Sequence, residues 1–184
     1  MKYLRQTVRK LIIEACQRGQ YFGPAGSGII VLCTEDSSIY LQRRSKYVAG
    51  GQGQWAFPGG GYHPNGEEEF YRTPIPERFR IKSNDPALKA NAIRELEEEA
   101  GKNGLPEYDL VDELISYEDC GFIYKTFIID ITLEEKYNWQ PEPFEHCAWE
   151  VMDQGWFHKS DWLRQDIFFG FTPTLINAIK RILK

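Results

Sequence analysis

The sequence predicts an α+β layered domain in which strands alternate with helices placed between and after them. Three observations carry this: two adjacent strand patterns between Gly28 and Arg43, a helix with its own start and stop residues from Pro86 onward, and an amphipathic helix closing the chain. In order, Leu4, Val8, Leu11, Ile12 and Ala15 recur at helical spacing before Gly19, so residues 1–24 are expected to form an amphipathic helix and linker ahead of a domain spanning 25–184. Gly28-Ile29-Ile30-Val31-Leu32-Cys33 and Ser38-Ile39-Tyr40-Leu41-Gln42-Arg43 read as strands joined by the turn-forming Glu35-Asp36-Ser37. Asp85 suits an N-cap, Pro86 the first helical position, and Gly101 a left-handed residue just past the end. Further strands are expected around Leu110 to Tyr117, Gly121 to Ile131 and His146 to Val151. The last helix begins at Thr172-Pro173 and should bury Leu175, Ile176, Ile179, Ile182 and Leu183.

Composition narrows the function classes. A chain of 184 residues can bury one real core but is too short for two large domains. With 42% hydrophobic and 14% aromatic residues it is not a disordered chain. A net charge of −5 gives no basic footprint for general nucleic-acid binding, so a polyanionic substrate would depend on a bound metal. No apolar run reaches the length of a membrane span, and Arg5, Arg9 and Lys10 interrupt any signal-peptide core, so a soluble, cytoplasmic protein is expected. Cys16, Cys33, Cys120 and Cys147 lack CxxC pairing, which argues against a zinc cluster or redox pair and for buried thiols. His63, His146 and His158 show no ligand spacing and read as structural or surface residues.

The densest chemistry lies in Arg94-Glu95-Leu96-Glu97-Glu98-Glu99-Ala100-Gly101, downstream of Trp55-Ala56-Phe57-Pro58-Gly59-Gly60-Gly61. On a helix, Glu95, Glu98 and Glu99 fall on one stripe, with Ile93, Leu96 and Ala100 roughly opposite, so one face packs while the other can hold cations. Clustered carboxylates repel, and near a helix C-terminus they also oppose the macrodipole; hard oxygen donors on a rigid support are what Mg²⁺ or Mn²⁺ requires. An EEE run standing alone would mean only a solvated acidic face. Arg94 can pair with Glu98 at i+4 or offer its planar fork to a substrate oxygen. The three glycines allow close backbone approach and a sharply bent loop with room for phosphate.

These residues resemble the signature of the Nudix hydrolases, G-x5-E-x7-R-E-U-x-E-E-x-G-U with U a bulky apolar residue. Gly61, Glu67, Arg94, Glu95, Leu96, Glu98, Glu99 and Gly101 fill the fixed positions, while the final apolar position is Lys102. Glu67 and Arg94 are separated by 26 residues where the pattern has 7, so the motif carries an insertion, placed at about residues 68–86. The resemblance implies a Nudix fold, a mixed β-sheet sandwiched between α-helices, with the N-terminal helix as an addition. It also implies metal-dependent hydrolysis of a P–O–P linkage in a nucleoside diphosphate joined to another moiety. Mg²⁺ or Mn²⁺ would be held by Glu95, Glu98 and Glu99, with Glu145 as a further acid, and Glu98, Glu99 and Arg94 would be the catalytic residues. Gly59, Gly60, Gly61, Arg78, Arg80 and Tyr117 are the candidates for substrate contact.

Tyr117 lies 16 residues beyond Gly101, a placement that resembles dinucleoside polyphosphate hydrolases. A dinucleoside polyphosphate or nucleoside triphosphate therefore ranks ahead of ADP-ribose or a nucleotide sugar, and capped RNA stays within the family's range. Tyr124, Trp156 and Phe171 are further candidates for stacking on a base. A non-catalytic nucleotide-binding module is the alternative, against which the intact glutamates argue. A homodimer through the terminal helices is compatible with either reading.

Overall fold

The structure is a computed structural model that describes residues 20–48, 50–65, 70–72, 74–167 and 170–183. The expected N-terminal helix and Glu67 lie outside the described residues.

Strand β2 (Ala25–Cys33) is buried along its whole length and organises the domain. It runs parallel to β8 (Phe122–Asp130), from Ala25 opposite Ile123 to Leu32 opposite Asp130. Antiparallel partners share its length: β5 (Gly59–Tyr62) pairs with residues 25–28, and β3 (Ser38–Arg44) pairs with Leu32 and Cys33. β3 in turn pairs with β4 (Trp55–Ala56) and β9 (Val151–His158), and β7 (Asp109–Asp119) closes the far side against β8. The result is a mixed seven-stranded sheet. β7 forms its outer edge and slips register twice, between Leu110 and Asp112 and between Ile115 and Tyr117. Strand β1 (Gln20–Phe22) pairs separately with β6 (Phe70–Arg72), so part of the insertion is itself sheet structure.

Side-chain alternation in β2 separates two cores. Ile29, Val31 and Cys33 join Tyr40, Phe127 and Ile129 beneath Ala92, Leu96 and Ala100 of α1 (Pro86–Ala100). Ile30 and Leu32 point the other way and pack with Ile128, Trp162, Phe171, Leu175 and Ile179, the last two on α3 (Pro173–Ile182). The sheet is thus covered by a helix on each face, the α+β sandwich expected. Each fully buried Leu or Ile contributes about 2 kcal/mol of transfer free energy, which fixes both helices without help from intrinsic propensity. A third helix, α2 (Leu133–Asn138), is only six residues long.

Several local expectations change. The strand expected over His146 to Val151 starts only at Val151. Before it, Cys147 N–H donates to Phe144 O and Glu150 N–H to Cys147 O, both at 2.9 Å; these i to i+3 bonds coil the segment into turns and leave Trp149 exposed. Gly101 has φ −102°, not a left-handed value. It is suited to glycine for a different reason, since a Cβ there would meet Glu97 Cα and O at 2.8 Å. Cys33 and Cys147 are buried free thiols as expected, whereas Cys120 is disulfide-bonded. Among the described residues no helix is long and apolar enough to cross a membrane.

Candidate active site

Helix α1 is built to hold its last turn rigidly. At its start Asp85 caps the helix, accepting from Ala87 N–H at 3.0 Å, and Pro86 follows at N1. At its end, the carbonyls of the last turn all find donors. Glu97 O accepts from Gly101 N–H at 2.8 Å, Glu98 O from Phe144 N–H at 2.9 Å, and Ala100 O from Glu142 N–H at 3.2 Å. Glu99 O accepts from the buried side-chain amide of Gln42 at 2.9 Å. The carboxylate-bearing turn is therefore stitched to the sheet and to the 142–150 segment.

The glycine run lies in strand β5, not in a bent loop, because its backbone pairs residue by residue with β2. Its missing side chains let other groups in. A Cβ on Gly60 would fall 2.6 Å from the Glu95 carboxylate, and one on Gly59 would fall 2.3 Å from the Tyr124 hydroxyl. Gly61 is closed off by the Phe22 carbonyl at 2.4 Å from such a Cβ. Glu95 thus lies directly over β5. Tyr124 is pinned below by donating to Ser27 O at 3.0 Å, and Ser27 Oγ accepts from Asn91 at 3.0 Å. Asn91 Oδ1 holds Arg94 at 2.9 Å, and Arg94 also pairs with Glu95 and, at 2.5 Å, with Glu98.

The electrostatics of the three acids differ with burial. Glu99 is buried, Glu95 nearly so with 13% of its side chain exposed, and Glu98 is at the rim with 30% exposed. Burial, opposed mainly by Arg94, pushes the Glu95 carboxyl up to about 7, with the charges of Glu98 and Glu150 adding to the rise. Burial raises Glu99 well above the usual carboxylate range, helped by Glu95 and Glu150 and only partly offset by Arg44 and the Gly59 N–H. The arginines therefore leave this cluster short of positive charge. Oxygen-only donors in that condition fit a hard divalent cation, which would supply what Arg94 and Arg44 do not.

The structure brings Glu95, Glu98, Glu99 and Arg94 together. Glu145 is exposed in the turn before Cys147, and its charge is felt by Lys102. The acid that couples to Glu95 and Glu99 is Glu150, which the sequence reading passed over. Its placement depends on the two successive turns after Phe144, a nonlocal consequence of Phe144 N–H docking on Glu98 O. Arg78 lies over the Phe79 ring at 4.7 Å, and Arg80 donates to Ile75 O at 3.1 Å and lies against Gly121, where a Cβ would fall 2.6 Å from its Nε. Tyr117 shares a 2.8 Å hydroxyl contact with Tyr21, which stacks on Phe122 at 4.1 Å and donates to Asp119 at 2.8 Å. Phe171 is core, and Trp156 packs against Tyr40 and Trp139.

A family model described as NUDIX domain matches residues 24–169, so the chain belongs to the Nudix family. It is a pyrophosphohydrolase of that family, acting on acid anhydrides. Among solved structures, a Nudix hydrolase from Alicyclobacillus acidocaldarius is similar at 15% identity and TM-score 0.56, over 86% of this chain and 90% of that one. The M. smegmatis Nudix hydrolase RenU is similar at 17% identity and TM-score 0.55, over 90% and 83%. The NUDIX domain of Shewanella oneidensis NrtR, complexed with ADP ribose, is similar at 16% identity and TM-score 0.52, over 87% and 88%. No curated protein matches the chain.

Proposed function

We propose that the chain hydrolyses the diphosphate linkage of a dinucleoside polyphosphate or a nucleoside triphosphate, using Mg²⁺ or Mn²⁺ held by Glu95, Glu98, Glu99 and Glu150. The observation that carries this reading is the convergence of Glu95, Glu98 and Glu99 on the last turns of α1, with Glu95 lying over Gly60 and tied with Glu98 to Arg94, and with burial raising the Glu95 and Glu99 carboxyls. Glu150 takes the place first given to Glu145, because its charge reaches Glu95 and Glu99. When bound, the divalent cation would neutralise the diphosphate and acidify a water.

The protein's own groups do the rest. Arg94 holds Glu95 and Glu98 in one orientation, which fixes the acids before substrate arrives. Glu98, the most exposed of the three, is the group placed to accept a proton from an attacking water. Gly60 contributes by letting Glu95 lie against the sheet backbone, and Gly59 and Gly61 extend the same strand, over which substrate would approach. The choice of substrate rests on the placement of Tyr117 along the chain, and Tyr117 packs in an aromatic group with Tyr21 and Phe122. ADP-ribose is the second reading, favoured by the likeness to a NUDIX domain complexed with it.

The test is incubation of the full chain with Mg²⁺ or Mn²⁺ and a panel of dinucleoside polyphosphates, nucleoside triphosphates, ADP-ribose and nucleotide sugars, with products resolved by ³¹P NMR beside Glu98→Gln. Metal-dependent cleavage of the first two classes, lost by at least about 100-fold in a folded Glu98→Gln, is expected. Faster cleavage of ADP-ribose would overturn the substrate choice, and undiminished turnover in the variant would overturn the site.

A further inference from the structure

Glu98 faces a second set of donors that the Nudix motif does not contain. Its carboxylate, a His146 ring nitrogen and the Cys147 sulfur all lie within 4.8 Å of one another. The histidine and cysteine are adjacent in the turn that docks on α1, so the group joins two chain segments some 48 residues apart. Those segments are tied by backbone: Phe144 N–H donates to Glu98 O at 2.9 Å, Lys102 N–H to Glu142 O at 3.0 Å, and Cys147 N–H to Phe144 O at 2.9 Å. The backbone carrying the three donors is thus held in place by the fold. Burial is graded across them, with Cys147 inside, Glu98 at the rim and His146 exposed, which leaves a path from solvent.

We propose that Glu98, His146 and Cys147 form a site for a borderline-soft divalent cation of the Zn²⁺ class, distinct in chemistry from the oxygen-only magnesium set but sharing Glu98 with it. A thiolate and an imidazole are poor ligands for Mg²⁺ and good ones for Zn²⁺, Co²⁺ or Fe²⁺. Three protein ligands plus a solvent position make a four-coordinate site of the open kind. Bond lengths of about 2.0–2.3 Å place tetrahedral ligand atoms about 3.5 Å apart, so the donors need to close by roughly 1 Å, a movement within reach of the exposed His146 ring. Glu98 has a second oxygen beyond the Oε2 that Arg94 holds. A Cys-His pair completed by a distant glutamate has neither CxxC nor fixed histidine spacing to reveal it in the sequence.

Sharing Glu98 gives the site a regulatory consequence that rests on the hydrolase reading: a zinc-class ion there withdraws the rim carboxylate from the magnesium set and slows hydrolysis. The test titrates Co²⁺ and Zn²⁺ into the reduced full chain. One equivalent of Co²⁺ should bring up a thiolate-to-cobalt charge-transfer band, displaced by Zn²⁺. Cys147→Ser should abolish the band, and His146→Ala, a surface change that leaves packing intact, should weaken Zn²⁺ binding by at least about tenfold. A band that survives in Cys147→Ser, or Zn²⁺ affinity unmoved in folded His146→Ala, overturns the site. In the hydrolysis assay with Mg²⁺, Zn²⁺ should inhibit the wild type at concentrations that spare His146→Ala, and equal inhibition of both overturns the shared-ligand consequence. A wild type that hydrolyses nothing would sink the hydrolase reading, and the cobalt titration would still decide the metal site.

Discussion

Replacing Glu95 by Gln should make the metal-free protein more stable above pH 7 and leave it nearly unchanged at pH 5. Burial pushes this carboxyl to about 7 from an ordinary 4.5. The folded state therefore keeps the proton after the unfolded state has lost it, so the stabilisation is complete below the ordinary value and disappears as pH rises through 7. At about 1.4 kcal/mol per pH unit, the gap amounts to about 3 kcal/mol lost between pH 5 and 8. That figure is already net of the opposing pull of Arg94, whose side chain is 47% exposed and whose pairing is correspondingly screened. An uncharged amide of the same shape has nothing to lose over this range. Urea unfolding in the presence of a chelator at pH 5, 6, 7 and 8 should show wild-type stability falling and the Gln variant falling less, the remainder belonging to Glu99. Added Mg²⁺ should flatten the wild-type curve by displacing the protons. Identical slopes for the two proteins, or wild-type stability that rises over this interval, would refute the account of the cluster as short of positive charge.

Glu150→Gln should weaken the Mg²⁺ dependence of hydrolysis, raising the half-saturating concentration several-fold, whereas Glu145→Gln should leave it unchanged; equal effects would undo the reassignment. Gly60→Ala should retain the fold, since the nearest atoms are the far end of the Glu95 side chain, yet lower turnover by displacing that carboxylate; circular dichroism beside the ³¹P assay separates the two. Asp85→Ala removes the cap of α1 and should cost about 1 kcal/mol in urea unfolding, with no change in substrate preference.

The elements legible in the sequence were those whose cause is local. Asp85, Pro86, Thr172 and Pro173 are helix-start chemistry within a few residues of the turns they cap, and both helices begin where these residues put them. The apolar run of β2 likewise announces a strand buried on both faces. What the sequence concealed depends on partners far along the chain. The glycine run reads as a loop because glycine is a poor strand former, and it becomes a strand only through pairing with residues 25–28. β1 and β6 are three-residue strands that exist through each other, 50 residues apart. Cys147-Ala148-Trp149 has the apolar character of a strand, but docking of Phe144 on the end of α1 coils it instead. Glu150, in the same turns, has a charge that reaches Glu95 and Glu99, which no count along the chain could have told.

The outer strand β7 carries five acidic residues in eleven, Asp109, Asp112, Glu113, Glu118 and Asp119, and its pleat is interrupted twice. A second copy adding edge to edge would bring these carboxylates against their own kind along a ladder that cannot keep step. Among the described residues no further strand pairs with this flank, and its acidic, broken edge is a poor template for continuing into a fibre.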